Sequence, residues 1–282
     1  MKRHMSPSEL ARDSRFIRSK IEDQILDPRQ VTLGEQRQEG RLNNLDPRSP
    51  DSTDASRTLM HGIFVGEIQA LEGAGRTCWD FVTGEEVPFE LKLDMARQCW
   101  DEARHCEISL KLADHMGTEI GEFAEGTVLF EAACSSDAVL RLAGVNRALE
   151  GLAIDVFNTM RELGENYGDP VLYFCEDWML ADEVTHVKMG SDWLRKITAS
   201  DPERREKALE FQRTVDKLFS FGGFRSEEAE SPVHLARKFR NLAGFDDEEI
   251  QGLVELSQQA IEEQQQQAEL AAALFSSQSA GA

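Results

Sequence analysis

The chain is poor in aromatic residues, which make up 7%, and has only two tyrosines. Its five cysteines (Cys78, Cys99, Cys106, Cys134, Cys175) are odd in number and form no CxxC pair. That excludes a disulfide framework or a Cys-rich zinc module and fits reduced thiols in a cytoplasmic setting. Positive charge is also short: 31 Lys and Arg stand against 52 Asp and Glu, a formal net charge of -21. Such a balance argues against gripping nucleic acid through its phosphates or lying on an anionic membrane. No apolar run approaches the roughly 20 residues of a membrane span. The stretch from Met1 to Leu10 is polar and has no apolar signal core, so export is not expected. No Gly-rich flavin or nicotinamide motif is evident.

What is present is 282 residues with 40% hydrophobic content, enough for a proper core. Residues 1–56 read as an N-terminal arm, with one short helix suggested by Leu10, Ile17, Ile21 and Ile25. From Arg57 to about residue 200 the texture is long helices. Helix one is predicted over 57–84, and helix two from Pro88 to about Met116. Helix three is predicted within 127–165, with a break near Ser135-Ser136, and helix four from Pro170 to about Thr198. The remainder, 201–282, reads as a C-terminal helical extension: a helix from Asp201-Pro202 to about Phe221, then starts at Ser231-Pro232 and Asp246-Asp247. It ends in a Gln-rich, acidic tail. No convincing alternating run appears, so the fold class is all-α.

Two stretches carry chemistry. Asp101-Glu102-Ala103-Arg104-His105 and Asp182-Glu183-Val184-Thr185-His186 are both D-E-x-x-H. Spacing i, i+3 puts Glu and His side by side on one helix face. One such motif arises readily by chance; two, each on a long helix, are far more specific. The repeat extends further, since Ala70-Leu71-Glu72-Gly73 matches Ala148-Leu149-Glu150-Gly151. Two hairpins would then each supply a lone Glu (Glu72, Glu150) followed by an ExxH. Trp79 and Phe157 follow those glutamates at the same interval and are candidates to wall a site.

Four carboxylates and two imidazoles inside a four-helix bundle form the ligand set of a di-iron or di-manganese site. Two divalent cations neutralise four carboxylates, and neutral imidazole suits iron without adding charge. Uncompensated, such carboxylates would be very costly to bury. Their neighbours are apolar: Leu71, Ile108, Leu110, Leu149, Leu152, Leu180 and Val187. The predicted ligands are therefore Glu72, Glu102, His105, Glu150, Glu183 and His186, with the four glutamates also the candidate catalytic residues. Asp101 and Asp182 are candidates to hold the second imidazole nitrogen, crosswise: Asp101 to His186 and Asp182 to His105. Glu67 is a possible extra ligand, at a workable spacing from Glu102 but without support from the repeat. Ligand types alone admit Fe/Fe, Mn/Fe or Mn/Mn.

At these residues the chain resembles the ferritin-like superfamily of di-iron carboxylate proteins. Asp101 to His105 looks like the D-E-x-R-H signature of bacterial di-iron monooxygenases; the second motif has Thr185 where that signature has Arg. Residues 57–200 are also similar to an uncharacterised bacterial ferritin-like family, whose H-x-E-L-Q-A-like stretch compares with His61 to Ala70. The resemblance implies iron, dioxygen chemistry and a ferritin-like bundle. A tyrosine one turn beyond the first ExxH would mark a radical-generating reductase subunit, but Ser109 stands there. The extra histidine of arylamine N-oxygenases is replaced by Met179. The expectation is an oxidoreductase that uses two iron ions and O₂ to oxidise a small organic substrate, with an external electron donor and a monomeric or homodimeric assembly. Trp79, Trp100, Phe157 and Trp178 are candidate pocket or electron-transfer residues. The alternative is a ferroxidase that handles iron without an organic substrate.

Overall fold

The computed structural model describes residues 16–17, 50–84, 87–121, 125–126, 128–218, 233–259 and 262. The described residues are almost entirely helical. Helix α1 spans Pro50–Asp80 and α2 spans Phe89–Met116. Short α3 (Val128–Ala132) and α4 (Ala138–Arg141) follow, and α4 runs on into a π-helical segment, Leu142–Leu149. Helix α5 continues from it as Glu150–Tyr167, and α6 spans Pro170–Ile197. Helices α7 (Pro202–Leu218), α8 (Arg237–Leu242) and α9 (247–259) complete the described chain.

Helix α1 begins seven residues earlier than expected, at Pro50. Ile17, which the spacing assigns to a short helix, instead lies in a two-residue parallel bridge: Phe16–Ile17 pairs with Glu125–Gly126. The rest of the arm, the Ser231-Pro232 start and the Gln-rich tail lie outside the described residues. No described helix is long and apolar enough to cross a membrane.

Local chemistry sets the helix ends. Asp169 caps α6, its carboxylate accepting from Val171 N and Leu172 N, with Pro170 at the first helical position. Gly168, at φ 68°, ends α5 in a conformation that a β-carbon would strain. The break in the third helical region falls at 133–137, where Asp137 accepts from Val139 N to start α4.

The four long helices pack as two hairpins, α1 with α2 and α5 with α6, and α2 also packs against α6. The buried seam of α2 reads Leu91, Met95, Gln98, Glu102, His105, Ser109, Leu112, in steps of three and four residues. That of α6 reads Leu172, Glu176, Met179, Glu183, His186, Gly190, with Leu180 and Val187 beside it. Polar residues thus occupy core positions in mid-seam, bracketed by apolar ones. At one end Met60, Ile63, Leu112, Phe157, Met160, Leu163, Leu172 and Met179 form the main core, which Leu235, Phe245, Ile250 and Leu253 of the C-terminal part extend. At the other end Leu91, Met95, Leu142 and Trp193 form a smaller cluster.

Candidate metal centre

Between those clusters the seams converge on carboxylates and imidazoles. One group is Glu67, Glu102, His105 and Glu183; the other is Glu102, Glu150, Glu183 and His186. In each, one donor atom per residue lies within 4.8 Å of all the others, and every member is buried. The groups share Glu102 and Glu183, so cations held in both would have these two residues in common. The imidazole centroids are 5.9 Å apart.

Five of the six ligands expected from the repeat are gathered here. Glu72 is not; it is only half-buried and faces Arg76 on its own helix. Glu67 occupies the place instead. The reason is angular. Of the buried residues of α1, His61, Val65 and Gln69 lie on another side, while Met60, Ile63, Phe64, Glu67, Ala70 and Ala74 form one helical stripe, which includes Glu67. Glu72, five residues on, points about 140° away around the helix. The matching Ala-Leu-Glu-Gly stretches are not structurally equivalent, because the second begins inside a π-helical segment, Leu142–Leu149, whose wider winding shifts the register of Glu150. Trp79 moves off with Glu72: it is 88% exposed. Trp100 is also exposed and walls nothing, whereas Phe157 is buried and meets the His105 ring edge-on at 6.2 Å. Trp178 lies outside, under the Arg104 guanidinium at 5.1 Å.

The aspartates pair crosswise. His186 Nε2 is 3.2 Å from Asp101 Oδ2, and His105 Nε2 is 3.3 Å from Asp182 Oδ2. Arg104 binds both aspartates, contacting Asp101 and reaching Asp182 at 3.2 Å. With an aspartate accepting from Nε2–H, each imidazole turns its Nδ1 lone pair inward. His105 Nδ1 lies 3.1 Å from an oxygen of each of Glu67, Glu102 and Glu183. His186 Nδ1 lies 3.2 Å from Glu102 and 3.5 Å from Glu183.

A cation fits this arrangement. Glu102 Oε2, both Glu183 oxygens and His186 Nδ1 are buried without a hydrogen-bond partner. Desolvating even one unpaired ion costs several kcal/mol, so a set of orphaned acceptors aimed at common points calls for positive charge. The proton affinities agree. Burial pushes the Glu67 carboxyl up to about 8, against the opposing pull of His105. Burial, reinforced by Glu183 and Glu102, pushes Glu150 well above the carboxylate range. For Glu102 and Glu183 burial acts upward too, but the imidazoles prevail and hold both below the usual range. Burial disfavours charge on His105 and His186, yet the surrounding carboxylates raise both strongly. Without metal, protons occupy the place of cations; metal binding would expel them.

Three residues near the centre escaped sequence reasoning. Gln98 donates through Nε2 to Glu102 Oε1 at 3.0 Å and Glu150 Oε1 at 2.8 Å, and accepts from Asn146 Nδ2 at 2.7 Å. Glu176 is fully buried with neither oxygen partnered, and burial followed by the charge of Glu67 raises its carboxyl far above the normal range. The signal was available: Gln98 and Glu176 lie on the same seams as the clustered glutamates and histidines, at positions where an apolar residue is the default.

Fold and site together define an all-helical protein with a buried carboxylate–histidine centre that could hold metal. The family model described as "Protein of unknown function (DUF455)" matches residues 9–251, and the chain belongs to that family. No curated protein and no solved structure matches the chain.

Proposed function

We propose that the protein is a ferritin-like di-iron carboxylate oxidoreductase that uses O₂ to oxidise a small organic substrate, drawing electrons from an external donor. The observation that carries this reading is the pair of buried donor groups sharing Glu102 and Glu183. Glu67 and His105 would hold one ion, Glu150 and His186 the other, with Glu102 and Glu183 common to both. Two iron ions so held would supply the redox chemistry that side chains lack; Mn/Fe and Mn/Mn pairs suit the same donors. The chain's own residues do the rest. Asp101 and Asp182 keep the Nε2 protons in place and Nδ1 free for the ion. Arg104 ties the two aspartates together across α2 and α6. Phe157 and the adjoining apolar cluster keep bulk water from the His105 side.

Anaerobic Fe(II) loading tests the reading. The wild-type chain is expected to take up two ions, and Glu102→Ala or His105→Ala to lose them. On mixing with O₂ the loaded protein should consume oxygen faster with an oxidisable organic substrate present. Failure to bind iron stoichiometrically overturns it. The net charge of -21 favours a second reading, a ferroxidase that draws in Fe(II) without an organic substrate. In that case oxygen uptake would follow added Fe(II) alone, and a large multi-subunit shell would be found by light scattering.

A further inference from the structure

The two cation positions are built from similar ligands but supported differently. At the position of Glu150 and His186, the fully buried Gln98 amide gives its two N–H hydrogens to carboxylates from different helices, Glu102 and Glu150. The amide cannot turn over, because Asn146 Nδ2 donates to its oxygen. Asn146 is held in turn by the π-helical segment and by α6. Gly190 leaves room for it, since a β-carbon there would collide with Asn146 Cβ. One oxygen of Glu102 and one of Glu150 are thus fixed before any ion arrives. The position of Glu67 has no such support. Among the described residues only His105 hydrogen-bonds to Glu67. Glu176, on the same seam of α6, is fully buried with neither oxygen partnered and gives Glu67 no hydrogen bond.

We infer that the positions bind unequally: the Glu102–Glu150–Glu183–His186 position fills first, and Gln98, steadied by Asn146, is the positioning residue that makes it the tighter one. The inference rests on the two-cation reading above. A neutral double donor fixes the carboxylates without adding charge that competes with the ion, so less ordering remains when the ion binds. The second ion must order Glu67 as it binds.

Anaerobic titration of the metal-free full chain with Mn(II), followed by the EPR signal of free Mn(II) and by calorimetry, tests this. Wild type should bind in two steps that differ in affinity by about tenfold or more, the scale on which outer hydrogen bonds tune metal sites. Gln98→Leu should weaken the tight step by about 10- to 100-fold. Asn146→Ala, which leaves Gln98 in place, should weaken it in the same direction, and it decides the matter should Gln98→Leu not fold. Glu67→Gln should abolish the weak step and spare the tight one, an effect that general destabilisation would not produce. Equal steps in wild type, a tight step unmoved by the Gln98 or Asn146 change, or loss of the tight step in Glu67→Gln would each overturn the inference while leaving two cations in place. Wild-type protein that binds no Mn(II) would overturn the two-cation reading itself.

Discussion

At His105 and His186 each ring is held from behind by an aspartate and faces carboxylates in front, so every atom has a defined partner except those aimed at the centre. On α1 the important choice is between two glutamates one and a half turns apart. Glu67→Ala is expected to lower metal content by one ion per chain, and Glu72→Ala to leave it unchanged, as read by elemental analysis after loading and desalting. The reverse result would restore the residue favoured by the internal repeat. Both ExxH motifs were legible because the i, i+3 spacing is local and survives any packing. Glu67 was legible only as a possible extra ligand, because the internal repeat favours Glu72, whereas the buried stripe through Met60, Phe64, Ala70 and Ala74 includes Glu67. The crosswise aspartates were legible from antiparallel geometry alone.

Among the elements, α8 anchors the C-terminal part to α5, which carries Glu150. Fully buried Arg240 meets Asp155 through Nε at 2.9 Å and Nη2 at 2.6 Å, and also donates to the Gly151 carbonyl next to Glu150. Removing one partner of such a pair leaves a buried charge uncompensated. Asp155→Ala or Arg240→Ala should therefore destabilise the metal-free protein by about 3–5 kcal/mol, measured by urea unfolding. Combining Asp155→Leu with Arg240→Met, which puts apolar side chains of similar volume at both positions, should recover most of that loss. The pair could not be foreseen, since 85 residues separate its members and neither lies in a motif. Helix starts at Pro170 and Pro202 were legible because proline marks a first turn. The π-helical segment was not: Leu142 to Leu149 carries no residue that distinguishes it from α-helix, and its winding follows from what packs around it.

For the molecule as a whole, the metal-free centre links folding to pH. Glu67, Glu150 and Glu176 have raised carboxyl groups, and both imidazoles are raised as well. The folded state therefore holds protons that the unfolded chain releases above pH 4.5 for the acids and 6.5 for the histidines. The stability they contribute is complete below those values and declines as pH rises, with the Glu67 share gone once pH passes about 8. Glu102 and Glu183 act oppositely, their contribution falling away only below pH 4.5. Each proton held by the folded state alone is worth about 1.4 kcal/mol per pH unit. The unfolding temperature of metal-free protein should accordingly peak near pH 5 and drop toward pH 8, while added Mn(II) should flatten the alkaline side; differential scanning fluorimetry across that range checks both. A profile that climbs toward pH 8 without metal would contradict the assignment of these protons. The centre is also shared evenly between hairpins: Glu67, Glu102 and His105 come from the first, Glu150, Glu183 and His186 from the second. During synthesis, then, a ribosome-bound chain that ends before α5 carries only a half-shell of donors, so any cation that the centre holds would have to await the meeting of the two halves.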